Sequence, residues 1–285
     1  MKEITREGLQ RVYDFERENR IVLDACRAAT ADVLAVLRFM GRYAAWNGLF
    51  GAGVAALAGK IGRSRRLFLD RAEPIAALAD RSVLVASYFF DAARDEFDDR
   101  DTAHRDTHRC LAQALLKGIL LYGRRARTEW NDPAFVNALL CEPVWLQALT
   151  ARVGHGYYGA MSPDELPAIF RCMGYHLGSE VLADQEFSII DLALATHCPD
   201  LVADLRHTEV EIAGRLHSAY RWFSIHSGHG GAVEAEHFAW ATRGARLAFD
   251  YLEPDLHDPL HQQLLLGFVD FTRDHREFFE NVNSP

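Results

Sequence analysis

Apolar residues recur at intervals of three and four through almost every long segment of this chain, and the strict alternation that a half-buried strand needs is scarce. A chain patterned this way folds as helix after helix. One or two helices are expected over Ile21–Leu57. A helix is predicted over Pro74–Phe97 with Ile75, Leu78, Val83, Val85, Phe89 and Phe90 on its apolar side. Another is predicted over Thr102–Tyr122, after the acidic turn Asp98-Asp99-Arg100-Asp101. Asn131-Asp132-Pro133 reads as a cap followed by proline at the first helical position, and Glu142-Pro143 as a break or restart. Ser162-Pro163-Asp164-Glu165 has the form of a capping box opening a long helix towards Ala195. A further helix is predicted from Pro199 to about His226, where Gly228, Gly230 and Gly231 interrupt it. The pattern resumes over Ala232–Leu252, turns through Pro254–Pro259, and ends in a helix from His261 to about Phe279.

No linker rich in Pro, Gly and Ser divides the 285 residues, and no internal repeat is visible, so the expectation is one all-α domain over residues 1–285, a bundle of stacked helices. Apolar residues make up 49% and charged residues 25%, proportions of an ordinary globular chain. The formal charge of -9 argues against a nucleic-acid partner, whose phosphates call for a basic face, and points to a small-molecule partner instead. Cys26, Cys110, Cys141, Cys172 and Cys198 are dispersed and odd in number, which suits reduced thiols in a cytoplasm. Met1–Asn19 is charged and has no apolar export signal. Ala44–Ile61 is rich in small residues but interrupted by Asn47 and Lys60, so close helix contact is favoured there over a membrane span.

Three clusters carry possible chemistry. In Glu234-Ala235-Glu236-His237 a carboxylate and an imidazole three apart share one helix face and can reach a common ion, a combination suited to iron or manganese. His226 and His229 lie just upstream, and the glycines beside His229 cost a helix ~1 kcal/mol each relative to alanine. A local unwinding that lets His229 swing onto a metal and an ordinary turn with a surface histidine are both compatible with this. In the second cluster Met173, Leu177, Glu180, Asp184 and Phe187 fall along one stripe, and a carboxylate among apolar groups calls for a partner or a cation. Glu180 either meets a cation or pairs with His176 one turn back, and Glu186 is the competing carboxylate. The third cluster runs from Asp95 and Glu96 through Asp101 and His104 to His108; most of it reads as a solvated loop, with His108 the residue expected to point inward. Motifs for a serine nucleophile, a P-loop, a dinucleotide site or a cysteine zinc site are absent from the sequence. Tyr122, Trp130, Tyr157, Tyr158 and Trp222 read as core or as pocket lining.

Taken in chain order, an acidic residue and His108, then Glu180, then Glu234 and His237 resemble the haem-oxygenase-like diiron oxidases and oxygenases. That family's pattern is a Glu and a His with six residues between them, a lone Glu, and His-x3-Asp-x2-His. The resemblance places Glu234 at the family's Asp, His237 at its last His, Glu180 as the central carboxylate and His108 as the first imidazole. Asp101 stands where the first Glu is expected, leaving Asp101 and Glu96 as alternatives. Gly230 stands where a His is expected, leaving His229 or His226 to replace it. The implied metal ligands are therefore Glu96 or Asp101, His108, Glu180, His229, Glu234 and His237, with no catalytic residues beyond them.

The resemblance implies a haem-oxygenase-like fold, two iron ions, O2 as cosubstrate, and oxidation of a small amine or amino-acid-like substrate in specialised metabolism, with N-oxygenation the favoured outcome. A homodimer is a family-level expectation. The alternatives are a metal-independent helical enzyme similar to thiaminases or to the synthases of the quinone cofactor PQQ, and a non-catalytic small-molecule-binding protein.

Overall fold

The computed structural model describes residues 4–98, 106–158, 165–227 and 233–284, with the backbone alone at 184 and 233–235. Short side chains that accept backbone hydrogen bonds set most of the early helix boundaries. Thr5 caps α1 (Arg6–Gln10) by accepting from Gly8 N, Asp14 caps α2 (Phe15–Ala29) by accepting from Arg17 N, and Asp32 caps α3 (Val33–Asn47) by accepting from Leu34 N and Ala35 N. With α4 (Phe50–Arg63) following, Ile21–Leu57 takes part in three helices instead of one or two.

The helix expected over Pro74–Phe97 is shorter. Asp80 accepts from Ser82 N at 2.9 Å, and α5 spans Ser82–Phe97, while Ala76–Leu78 forms only a 3-10 turn. Of its predicted apolar side, Val85 and Phe89 are buried, whereas Ile75, Leu78, Val83 and Phe90 are exposed. Thr107 accepts from Cys110 N and opens α6 (His108–Arg124), so the helix begins six residues later than Thr102. Asp132 and Pro133 open α7 (Pro133–Leu139) in the expected manner, Asp132 accepting from Ala134 N. α8 (Val144–Tyr158) restarts after Pro143. α9 (Leu166–His197) is the long helix expected to reach Ala195; the capping box at Ser162 lies outside the described residues.

Between Pro199 and His226 the chain departs from expectation. α10 (Pro199–His207) is followed by a hairpin of β1 (Glu209–Ile212) and β2 (Arg215–Ser218), and only then by α11 (Arg221–His226). The strands are antiparallel, with Ile212 opposite Arg215, and the two-residue turn has positive φ at both Ala213 (52°) and Gly214 (77°). That is the backbone whose twist matches paired strands, and it stops the helix. α12 (Val233–Asp250) and α13 (Pro254–Asn281) complete the chain. α13 runs through Pro254–Pro259, where a turn is expected: Pro254 sits in its first turn, and Pro259 gives up one amide donor without ending the helix.

The fold is all-α in class, and the hairpin is the only sheet among the described residues. A continuous apolar core reaches from Ile4 to Val282 and includes fully buried Tyr43, Trp46, Trp130, Tyr157 and Trp222. No single helix among the described residues is long and apolar enough to cross a membrane. α9 is the central member, packed by α13, α12, α2 and α8. Its contact with α13 is backbone on backbone: a Cβ at Gly174 would lie 1.8 Å from the Leu264 carbonyl oxygen, and one at Gly267 would lie 1.8 Å from that of Arg171. Only glycine permits that approach.

Candidate functional site

The C-terminal turn of α5, the first residue of α6, the middle of α9, the end of α11 and the start of α12 bring seven acidic and imidazole side chains together: Asp95, Glu96, His108, His176, Glu180, His226 and His237. All are buried except Glu96, which keeps 18% of its side chain exposed. Glu96 Oε2 lies 2.9 Å from His108 Nδ1. His237 stands between two carboxylates, Nε2 2.9 Å from Asp95 Oδ2 and Nδ1 3.3 Å from Glu180 Oε2. The other oxygen of Glu180 lies 3.2 Å from His176 Nδ1. His226 joins through its ring, edge-on to His108 at 4.5 Å between centroids and stacked on Phe187 at 4.3 Å. Its Nδ1 is 2.7 Å from the Trp222 carbonyl, a geometry in which the ring N–H donates.

Local packing holds these groups in place. α4 and α5 approach so closely that a Cβ at Gly51 would lie 2.8 Å from Glu96 Cβ, so the small residues of α4 set the position of that carboxylate. Phe89 and Tyr157 flank His176, and Trp240 stacks on His237 one turn along α12.

Burial of Glu96 works to raise its pKa, but the His108 charge and hydrogen bond prevail and hold it down at about 2. Burial likewise opposes a charge on His108, yet Glu96 keeps its pKa above the ordinary imidazole value. The outcome reverses at His226, where burial and then the neighbouring His108 charge depress it to about 3. Burial also lowers His176, with the charge of Glu180 acting against it. The cluster thus holds one ion pair at the edge of the core and neutral imidazoles deeper in.

Of the residues expected from sequence, Glu96, His108, Glu180 and His237 converge here. Asp101 and His229 lie outside the described residues, and Glu234 lies on α12 with only its backbone described. His226, the alternative to His229, is in the cluster, and Glu180 does meet His176 one turn back. Glu186 belongs elsewhere, accepting from Tyr43 Oη at 2.7 Å and lying 2.8 Å from His275 Nε2. His275 Nδ1 is 3.0 Å from Glu18, so this second buried cluster is closed by its own pairing. Asp95 and His176 are the members that sequence reasoning left out of the ligand set. The signal for Asp95 is its place in the last turn of an apolar helix; for His176 it is the i,i+4 spacing to Glu180.

The donor set fits a cation. Three carboxylates and four imidazoles are the ligand types that iron or manganese takes, and neutral imidazoles such as His226 are the form that binds metal. Among the described residues His108 Nε2 and His176 Nε2 are buried without a hydrogen-bond partner, each on a ring whose other nitrogen faces a carboxylate, the arrangement that orients a metal-bound histidine. As the side chains stand, no three His, Cys, Asp or Glu among the described residues are disposed to hold one ion, because carboxylates and imidazoles are turned onto each other. No protein-family model and no curated protein sequence matches this chain.

Proposed function

We propose that this protein is a non-haem diiron oxidase or oxygenase of haem-oxygenase-like fold that uses O2 to oxidise a small amine or amino-acid-like substrate, N-oxygenation being the favoured outcome. The observation that carries this reading is the convergence of Glu96, His108, Glu180 and His237, picked out by the family resemblance, with three further donors on one buried point between helices. The three carboxylates Asp95, Glu96 and Glu180 would offset three of the four positive charges of two divalent ions, which a low-dielectric site favours over unpaired ions.

His108, His176, His226 and His237 would supply nitrogen donors, and Glu96, Asp95 and Glu180 oxygen donors, with Glu180 central because its two oxygens already face two different imidazoles. Bound iron would supply the electrons and the open coordination positions that O2 chemistry needs. The chain's own part is to hold the ligands in register, to exclude bulk water through Phe89, Tyr157, Phe187 and Trp240, and to orient substrate from the exposed side of Glu96.

The test is iron quantification after anaerobic loading, followed by optical spectra on mixing with O2, with and without candidate amines. Two irons per chain, an O2-dependent spectral change, and loss of iron in Glu180→Ala and His237→Ala support the reading. Unchanged iron content in both variants together with a silent spectrum rejects it. The mutual pairing of carboxylates and imidazoles favours one second reading, a metal-independent helical enzyme in which the same groups exchange protons. Full activity in a metal-free preparation would select that reading.

A further inference from the structure

Aromatic rings join His226 of the candidate site to the second buried cluster. Phe187 of α9 stacks on His226 at 4.3 Å between centroids, and the same ring meets Tyr43 of α3 at 5.6 Å and Trp222 of α11 at 5.5 Å. Tyr43 and Trp222 meet each other at 5.4 Å. Trp222 has a second link, because its carbonyl accepts from His226 Nδ1 at 2.7 Å. An electron thus has a path of ring contacts from Tyr43 to a donor of the candidate site.

The same tyrosine has a path for its proton. Glu186, the neighbour of Phe187 on α9, accepts from Tyr43 Oη at 2.7 Å through Oε1, and its Oε2 lies 2.8 Å from His275 Nε2. His275 Nδ1 lies 3.0 Å from Glu18, which also accepts from Tyr13 Oη. Tyr13 Oη accepts from Arg276 at 2.8 Å, and Arg276 keeps 28% of its side chain exposed. A hydrogen-bonded chain therefore runs from a fully buried phenol to the surface.

Other aromatic side chains near the site lack one of these two parts. Tyr157 lies 5.9 Å from His176, but its hydroxyl donates to Ser179, which is no base. Tyr175 donates to Asp274 at 2.9 Å, yet its ring reaches the site through Tyr157 in longer steps of 5.4 and 5.9 Å, and Arg152 already holds that carboxylate at 3.2 Å. Tyr220 donates to Asp191 but stands two rings away from His226, 5.6 Å from Phe223 and a further 6.1 Å from Phe187. Trp222 Nε1 is buried with no acceptor among the described residues, so an oxidised indole there has nowhere to put its proton and draws an electron from Tyr43. Loss of an electron makes a phenol strongly acidic, and a cation left in the core is costly. With Glu186 in hydrogen-bond reach, the proton crosses as the electron leaves, and a neutral phenoxyl radical faces a neutral carboxylic acid.

We infer that Tyr43 is a redox-active tyrosine that gives one electron to the oxidised iron site by way of Phe187 and Trp222, and its phenol proton to Glu186. The Tyr43 O–H bond breaks, a Glu186 O–H bond forms, and the iron is reduced by one electron. A one-electron reductant such as ascorbate returns the electron, and Glu186 returns the proton. An oxidising equivalent that finds no substrate is thereby moved from the imidazoles around the metal to a buried phenol. Iron as the oxidant rests on the diiron reading, whereas the relay is built from the chain's own residues and serves any one-electron oxidant.

The experiment has two arms, both read by EPR and transient absorption on the full chain. In the first, iron-free protein is photo-oxidised with tris(bipyridine)ruthenium and a sacrificial electron acceptor. In the second, iron-loaded protein is mixed with O2 in the absence of substrate and freeze-quenched. Both should show a long-lived neutral tyrosyl radical that is lost in Tyr43→Phe and kept in Tyr175→Phe. Glu186→Gln should lose most of the signal, and Trp222→Phe, which keeps every hydrogen bond of the relay, should slow its formation. Circular dichroism checks that each variant is folded. A radical of wild-type yield in folded Tyr43→Phe, its loss in Tyr175→Phe instead, or no long-lived tyrosyl radical in photo-oxidised wild type would overturn the inference. Should Tyr43→Phe not fold, unchanged kinetics in Trp222→Phe would overturn it equally. A Tyr43-dependent radical in the first arm from a protein that takes up no iron would overturn the diiron reading alone; iron uptake and reaction with O2 without a Tyr43 radical would overturn the relay alone.

Discussion

Asp95 and His237, 142 residues apart in the chain, meet at 2.9 Å in the interior, carboxylate oxygen against Nε2. This contact ties α5 to α12 at the centre of the candidate site. Asp95→Ala leaves the imidazole facing an apolar gap, and removing one partner of a buried pair costs about 3–5 kcal/mol. The expected result is a lower denaturant midpoint together with a roughly 10- to 100-fold loss of iron affinity. Unchanged iron affinity in a folded Asp95→Asn protein would detach Asp95 from the metal-binding role.

Gly51 and Gly59 lie on the same helix and offer a matched pair. A methyl at 51 would press on Glu96, so Gly51→Ala is expected to destabilise by about 1–3 kcal/mol. A methyl at 59 meets nothing within 4 Å, so Gly59→Ala is expected to stabilise α4 by up to ~1 kcal/mol. Chemical denaturation of the two variants checks the opposite signs.

The second buried cluster predicts an alkaline limit to stability. Burial works to lower the His275 pKa, but Glu18 and Glu186 raise it from 6.5 to about 9. A pKa raised in the folded state adds stability that is fully present below about pH 6.5 and disappears as pH rises through 9. Glu18 acts in the opposite sense: its pKa is lowered despite burial, so its contribution is present above its ordinary 4.5 and is lost on further acidification. The contribution of this cluster to the denaturant midpoint should therefore be level from about pH 5 to 6.5 and decline towards pH 10. His275→Gln should be less stable throughout and should lack the alkaline decline.

His226, held near 3 by burial and the His108 charge, should show no titration of its ring proton signals between pH 5 and 8 in iron-free protein. An apparent value close to 6.5 would mean that water reaches the ring past Phe187.

Much of this architecture is legible in the sequence where a local device sets it. Asp132-Pro133 opens a helix, the stripe of Met173, Leu177, Glu180 and Phe187 is buried, and His108 does point inward. The hairpin at Glu209–Ser218 was not legible: its strands are four residues each, and its turn puts Ala213 at a position of positive φ where Asn or Asp would have signalled a turn. The exposed face of α5 misleads for another reason, since apolar spacing marks a face without saying whether anything covers it. Asp95 enters the site through a contact between helices far apart in sequence, which no spacing within one helix encodes, whereas the i,i+4 spacing of His176 and Glu180 on α9 does encode their pairing.

The glycine contact between α9 and α13 gives the site a fixed reference. With Gly174 and Gly267 seated on opposing carbonyls, α9 cannot slide or roll without backbone collision, so His176 and Glu180 act as a datum against which the other donors are measured. Any rearrangement that turns the paired side chains towards a common ion must therefore be made by the helices carrying His226 and His237, and by the turn of α5 carrying Asp95 and Glu96. Amide exchange should register that division of labour, with the middle of α9 the slowest to open.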